Sequence, residues 1–95
     1  MSNYELILII SPDVTDEEMP DFMAKLNELV NKVGGTVGEV SQWGRRQLAY
    51  PIKKFAEGNY VLTKLNLKPT VTKELEANFR LSGKIIRHLL IRLAD

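Results

Sequence analysis

Few residues in this 95-residue chain could do covalent chemistry. Catalysis needs a nucleophile beside a base, or a metal. The chain has no cysteine, which excludes disulfide frameworks, thiolate zinc sites and cysteine nucleophiles, and suits a reducing compartment. Its one histidine, His88, sits in a run of apolar and basic residues, where an imidazole packs or contacts nucleic acid more readily than it acts as a base. The acidic cluster Asp13, Asp16, Glu17, Glu18 and Asp21 coincides with a helix start, where carboxylates complement the macrodipole. Gly34-Gly35 and Gly44 lack the Gly-x-Gly-x-x-Gly or Walker spacing that cradles phosphate. No catalytic site, metal, cofactor or small-molecule substrate is therefore expected.

Basic residues carry more information. The segment Gln42-Trp43-Gly44-Arg45-Arg46-Gln47-Leu48-Ala49-Tyr50-Pro51-Ile52-Lys53-Lys54 is extended in character, and neighbouring residues of a strand point to opposite faces. At least one of Arg45 and Arg46 must then meet solvent, nucleic acid or a partner. Charges on an edge strand also deter edge-to-edge aggregation, and the two roles are compatible. A later run adds Lys84, Arg87, His88 and Arg92, and guanidinium groups suit bidentate phosphate contact. The net charge of +1 hides a segregation: residues 1–44 carry two basic and eight acidic groups, residues 45–95 eleven basic and four acidic. A difference of −6 against +7 between halves points to a polyanionic partner on one side.

The elements that must position these groups follow from periodicity. Tyr4 to Ile10 is short, aliphatic and apolar on both faces, which fits a central strand. Thr15 with Glu18 three residues on forms a capping box. Met19, Phe22, Leu26, Leu29, Val30 and Val33 then share one helical stripe, with Pro20 awkward in the first turns and Gly34-Gly35 as the stop. Thr36 to about Lys53 reads as a long strand whose alternation slips once, near Gly38 or Gly44, as at a bulge. Pro51 places it at an edge. Lys54–Asn59, with Gly58, reads as a hairpin loop, and Tyr60 to Leu67 as the returning strand. Pro69-Thr70 opens a helix with Val71, Leu75 and Phe79, Ser82-Gly83 ends it, and Ile85 to Leu93 is the last strand.

The order β-α-β-β-α-β is the split βαβ arrangement. The expected fold is α+β and ferredoxin-like: a four-stranded antiparallel sheet, first and third strands central, second and fourth at the edges, both helices on one face. Residues 1–95 are expected to form one domain, able to bury roughly 60–65% of its unfolded surface. No apolar run approaches the roughly 20 residues of a membrane helix, and no basic, cleavable leader precedes the first strand, so neither membrane nor export is expected. If Tyr4, Leu6, Leu8 and Ile10 face the helices, then Glu5, Ile7 and Ile9 face outward beside either Tyr60 and Leu62 or Val61 and Thr63. An uncovered aliphatic face of this kind marks an interface. RNA-recognition motifs share the topology but stack bases on exposed aromatics of the first and third strands. The first strand offers none on its outward face, and Glu57-Gly58-Asn59-Tyr60-Val61 matches the basic-Gly-aromatic signature only loosely, so base stacking across the sheet is not expected.

Along essentially its full length the chain resembles the bacterial small-subunit ribosomal protein six family. The resemblance rests on Tyr4-Glu5 with the aliphatic strand after it, on Trp43-Gly44-Arg45-Arg46-Gln47-Leu48-Ala49-Tyr50-Pro51-Ile52, on Gly58-Asn59-Tyr60-Val61, and on Ile86-Arg87-His88-Leu89-Leu90-Ile91-Arg92. It implies a ferredoxin-like fold, no catalysis, a cytoplasmic location on the ribosome, and binding to the central domain of small-subunit ribosomal RNA cooperatively with ribosomal protein eighteen. By the family's pattern, Gln42, Trp43, Arg45 and Arg46 match partner-facing positions, and Tyr4, Lys54, Arg87, His88 and Arg92 match RNA-facing ones. Some members carry a glutamylated acidic tail; a sequence ending Leu93-Ala94-Asp95 does not carry that expectation over. Two alternatives share the topology. An acylphosphatase-like enzyme needs a glycine-rich loop with an arginine after the first strand, where this chain has Ser11-Pro12-Asp13-Val14-Thr15. A ligand-sensing homodimer would pair through the open sheet face.

Overall fold

Tyr4, Leu6, Leu8 and Ile10 alternate with Glu5 and Ile7 along β1 (Ser2–Ile10), and the first set is buried while the second is half-exposed. The computed structural model describes residues 2–93; Met1, Ala94 and Asp95, and with them the expectations about the chain's two ends, lie outside the described residues. The remaining elements are α1 (Met19–Lys32), β2 (Thr36–Ile52), β3 (Phe55–Leu67), a 3-10 turn (Pro69–Val71) leading into α2 (Thr72–Leu81), and β4 (Ile85–Arg92). Neighbouring strands pair antiparallel in the order β2-β3-β1-β4, so β1 and β3 are central and β2 and β4 are edges, as expected. The fold is α+β and ferredoxin-like. Leu26 and Val30 of α1 and Leu75 and Phe79 of α2 join Leu6, Leu8, Val61 and Leu65 in one hydrophobic cluster, so both helices cover the same sheet face.

The capping box forms with both halves made. The Glu18 amide donates to Thr15 Oγ1 at 3.3 Å, and the Thr15 amide donates to Glu18 Oε1 at 3.1 Å. The Met19 amide closes that turn on the Thr15 carbonyl at 3.0 Å, and the regular helix follows. Pro20 therefore falls in the first turn of α1, where a missing N–H costs little, rather than obstructing it. At the other end the Gly35 amide reaches the Val30 carbonyl and the Gly34 amide that of Asn31, each at 3.0 Å, which is the Schellman closure.

The β2–β3 hairpin departs from expectation. Its loop is not Lys54–Asn59 but the two residues Lys53-Lys54, both left-handed at φ 49° and 72°, between the paired Ile52 and Phe55. Left-handed backbone at both central residues suits the right-handed twist of a tight hairpin, and here two lysines supply it where Asn-Gly is usual. β3 consequently begins five residues earlier than expected. Pairing of β2 with β3 slips not once but three times, between Val37 and Val40, Gln42 and Gly44, and Gln47 and Ile52. The last slip spans Pro51, which has no amide to give the ladder. β1 ends at the Ile10–Asn59 pair, so beyond it Arg46–Gly58 continues as a two-stranded arm.

Candidate nucleic-acid and protein interface

The sheet face away from the helices is set by register. Ile7 lies opposite Leu62 on one side and Leu89 on the other; Ile9 lies opposite Tyr60 and Arg87. Of the two alternatives left open by alternation, Tyr60 and Leu62 thus face outward, and Val61 and Thr63 are buried under the helices. A shallow hollow of about 270 Å³ lies among Ile7, Ile9, Tyr60, Arg87 and Leu89. Leu89 and Ile91 extend the same apolar surface along β4 and are exposed.

Arg45 and Arg46 do point to opposite faces. Arg45 pairs with the buried Asn59, on the helix side, and its guanidinium reaches Glu57 Oε1 at 3.3 Å and donates to the Pro12 carbonyl at 3.0 Å. It thereby ties the arm to the loop after β1. Arg46 pairs with Gly58 on the open side and lies 5.6 Å above the Trp43 ring, within cation–π range. Gly44, at φ 82° with open space where a Cβ would stand, lets the strand bulge so that Trp43 and Arg46 share a face. Gln42, opposite Val61, turns to the helix side. The four expected partner positions are therefore split two and two.

The five expected RNA positions are also dispersed. Tyr4 is a core residue, 5% exposed, opposite Leu65 and Arg92. His88 lies opposite Leu8 on the helix side, its ring 5.5 Å from that of Phe79 and its Nε2 4.0 Å from Glu76 Oε1. Arg87 stands on the open face, Arg92 at the far end of β4, and Lys54 at the arm's tip. Arg87 and His88 share a cleft of about 390 Å³ with Lys53 and Arg80, over Phe79 and Ile86. Sequence reasoning passed over Lys53 and Arg80, because only the third dimension folds the arm's tip toward α2. Among the described residues no cluster of His, Cys, Asp or Glu could hold a metal, and no helix is long and apolar enough to cross a membrane.

The family model described as ribosomal protein S6 matches residues 3–92. The small ribosomal subunit protein bS6 of Caldanaerobacter subterraneus subsp. tengcongensis is 39% identical over 95 residues, covering 100% of both chains. That of Moorella thermoacetica is 38% identical over 100% of this chain and 97% of its own. The crystal structure of 30S ribosomal protein S6 from Thermotoga maritima superposes with a TM-score of 0.88 at 31% identity, over 97% of this chain and 87% of that one. A match of this extent in sequence and fold leaves one conclusion: the chain belongs to the ribosomal protein S6 family, a family of ribosomal proteins and not of enzymes.

Proposed function

We propose that this chain is a cytoplasmic component of the small ribosomal subunit that binds the central domain of the subunit's RNA cooperatively with ribosomal protein eighteen. The observation that carries the reading is the pairing of two unlike surfaces: Trp43 and Arg46 beside an uncovered apolar sheet face, and cationic side chains at the sheet ends and arm tip. The first suits a protein, since Trp and Arg beside apolar surface are the residues that anchor interfaces. The second suits phosphate. Arg45 and Gln42 support the protein contact from the helix side, Arg45 by holding the arm to Pro12. Arg87, Arg92 and Lys54 make the RNA contacts, with Tyr4 and His88 packed beneath them.

Phosphate-driven affinity scales with the number of phosphates neutralised, and a chain of net charge +1 neutralises few. It binds RNA weakly alone and firmly with its partner. A filter-binding titration of a central-domain RNA fragment, with and without ribosomal protein eighteen and at two salt concentrations, tests this. The expected result is partner-dependent affinity with a log–log salt slope for this chain's share of about one or two. Tight binding that ignores the partner would refute it.

A further inference from the structure

We propose that the cleft between the arm's tip, α2 and β4 seats one phosphate group of the RNA backbone. The inference rests on the RNA-binding reading and gives it a place. Three separate elements deliver donors to the same opening: Lys53 from the hairpin turn, Arg80 from the last turn of α2, and His88 from β4. The floor is Phe79 and Ile86, both almost wholly buried. Apolar ground lowers the local dielectric and strengthens any charge–charge contact made above it.

The opposing charges are smaller. Glu76, one turn before Arg80 on α2, lies 3.6 Å from the Arg80 guanidinium and 4.0 Å from His88 Nε2. It orients both side chains and cancels one of the two positive charges of Lys53 and Arg80. The C-terminal end of α2 contributes about half a negative charge more, which leaves a small positive balance from Lys53 and Arg80. A net attraction for an anion remains. The donors are side chains on an open cleft rather than backbone amides closed around a ligand. Such a seat holds a free phosphate weakly and a phosphodiester, kept in place by the rest of a folded RNA, more firmly.

Lys53→Asn and Arg80→Gln test the seat, with Lys32→Gln at the end of α1 as a charge-matched control away from it. Asparagine is chosen because it tolerates the left-handed backbone at Lys53. With partner present, each cleft variant should bind the RNA fragment about tenfold more weakly, the size of one hydrogen bond to a charged group. Each should also lower the salt slope by about one. Lys32→Gln should change neither, and melting curves should stay unchanged. Cleft variants that match wild type in affinity and slope, while wild type binds RNA, overturn the seat and leave the RNA reading standing. If wild type binds no RNA at all, the earlier reading has failed, and inorganic phosphate decides the seat. Movement of the His88 and Arg80 resonances on adding phosphate, absent in Arg80→Gln, supports it, and no movement overturns it.

Discussion

Truncating Arg46 should separate docking from folding, and truncating Arg45 should not. Arg46→Ala removes a cation–π contact at 5.6 Å to a ring that is 46% exposed. At an exposed site that contact contributes about 0.5–1 kcal/mol. A domain of this size shifts its Tm by about 4–8 °C per kcal/mol, so the melting point should fall by no more than about 8 °C. At the centre of an interface the same arginine is worth about 2 kcal/mol or more, roughly thirtyfold in affinity. Arg45→Ala removes instead an ion pair to Glu57 whose side chains are 46% and 43% exposed, and the bond to the Pro12 carbonyl. Screening holds the pair near the low end of about 0.2–1 kcal/mol, and the hydrogen bond adds about 1 kcal/mol. Arg45→Ala should therefore melt lower than Arg46→Ala and bind ribosomal protein eighteen better. Circular-dichroism melts beside calorimetric titrations of the partner, with the RNA fragment present, measure both quantities. The reasoning fails if Arg46→Ala keeps partner affinity within about threefold of wild type, or loses more Tm than Arg45→Ala.

Two further outcomes follow from other parts of the structure. The Thr15 amide and hydroxyl bonded to Glu18 hold its carboxyl below the ordinary value of 4.5. A depressed folded value means stability fully present above pH 4.5 and lost as pH falls through it, so the gap between wild type and Glu18→Ala should close in acid; a gap constant across a pH series of melts would count against the box. In urea titrations Gly44→Ala should cost about 1–2 kcal/mol from left-handed strain alone. Gly58→Ala should cost about 1–3 kcal/mol from overpacking, since its Cβ would stand 2.6 Å from Ile9 Cγ2. Asparagine should recover part of the first loss and none of the second, and equal behaviour at both sites would contradict the assignment.

Gly58 also shows where the sequence misled. Lys54–Asn59 with its Gly58 reads as a hairpin loop, yet Gly58 lies in a strand, at a place where Ile9 of the neighbouring strand leaves no room for a Cβ. The turn sits instead on Lys53-Lys54, whose left-handed backbone has no residue-type signature. Elements and helix faces were legible because they depend on periodicity, in the aliphatic run of β1, the Met19–Val33 stripe, and Leu75 with Phe79, and the strand order followed from the element order and the handedness of the crossovers. The box at Thr15 and Glu18 was legible because it is local. Side assignments along β2 were not, since three slips each reset the alternation and only the pairing shows where. The opposition of Arg45 and Arg46 survived because no slip falls between them. Their different duties did not show, because Pro12 is 33 residues away from Arg45 in the chain.

The arm beyond the Ile10–Asn59 pair has a kinetic and entropic consequence. Val61 to Leu65 of β3 are flanked by β2 and β1, whereas Phe55–Gly58 have β2 alone. A lone two-stranded ribbon is marginal in water. Amide protons of one continuous strand should therefore exchange in two regimes, slowly in its middle and quickly toward the tip, with Arg45 on Pro12 as a brake at the boundary. The arm carries Lys53 at its tip and Arg46, beside Trp43, at its base, so a ligand at either end quiets the same fluctuation. Whichever binds first should leave less disorder for the second to remove, so that titrating the partner with and without RNA should reveal a coupling between two sites that never touch.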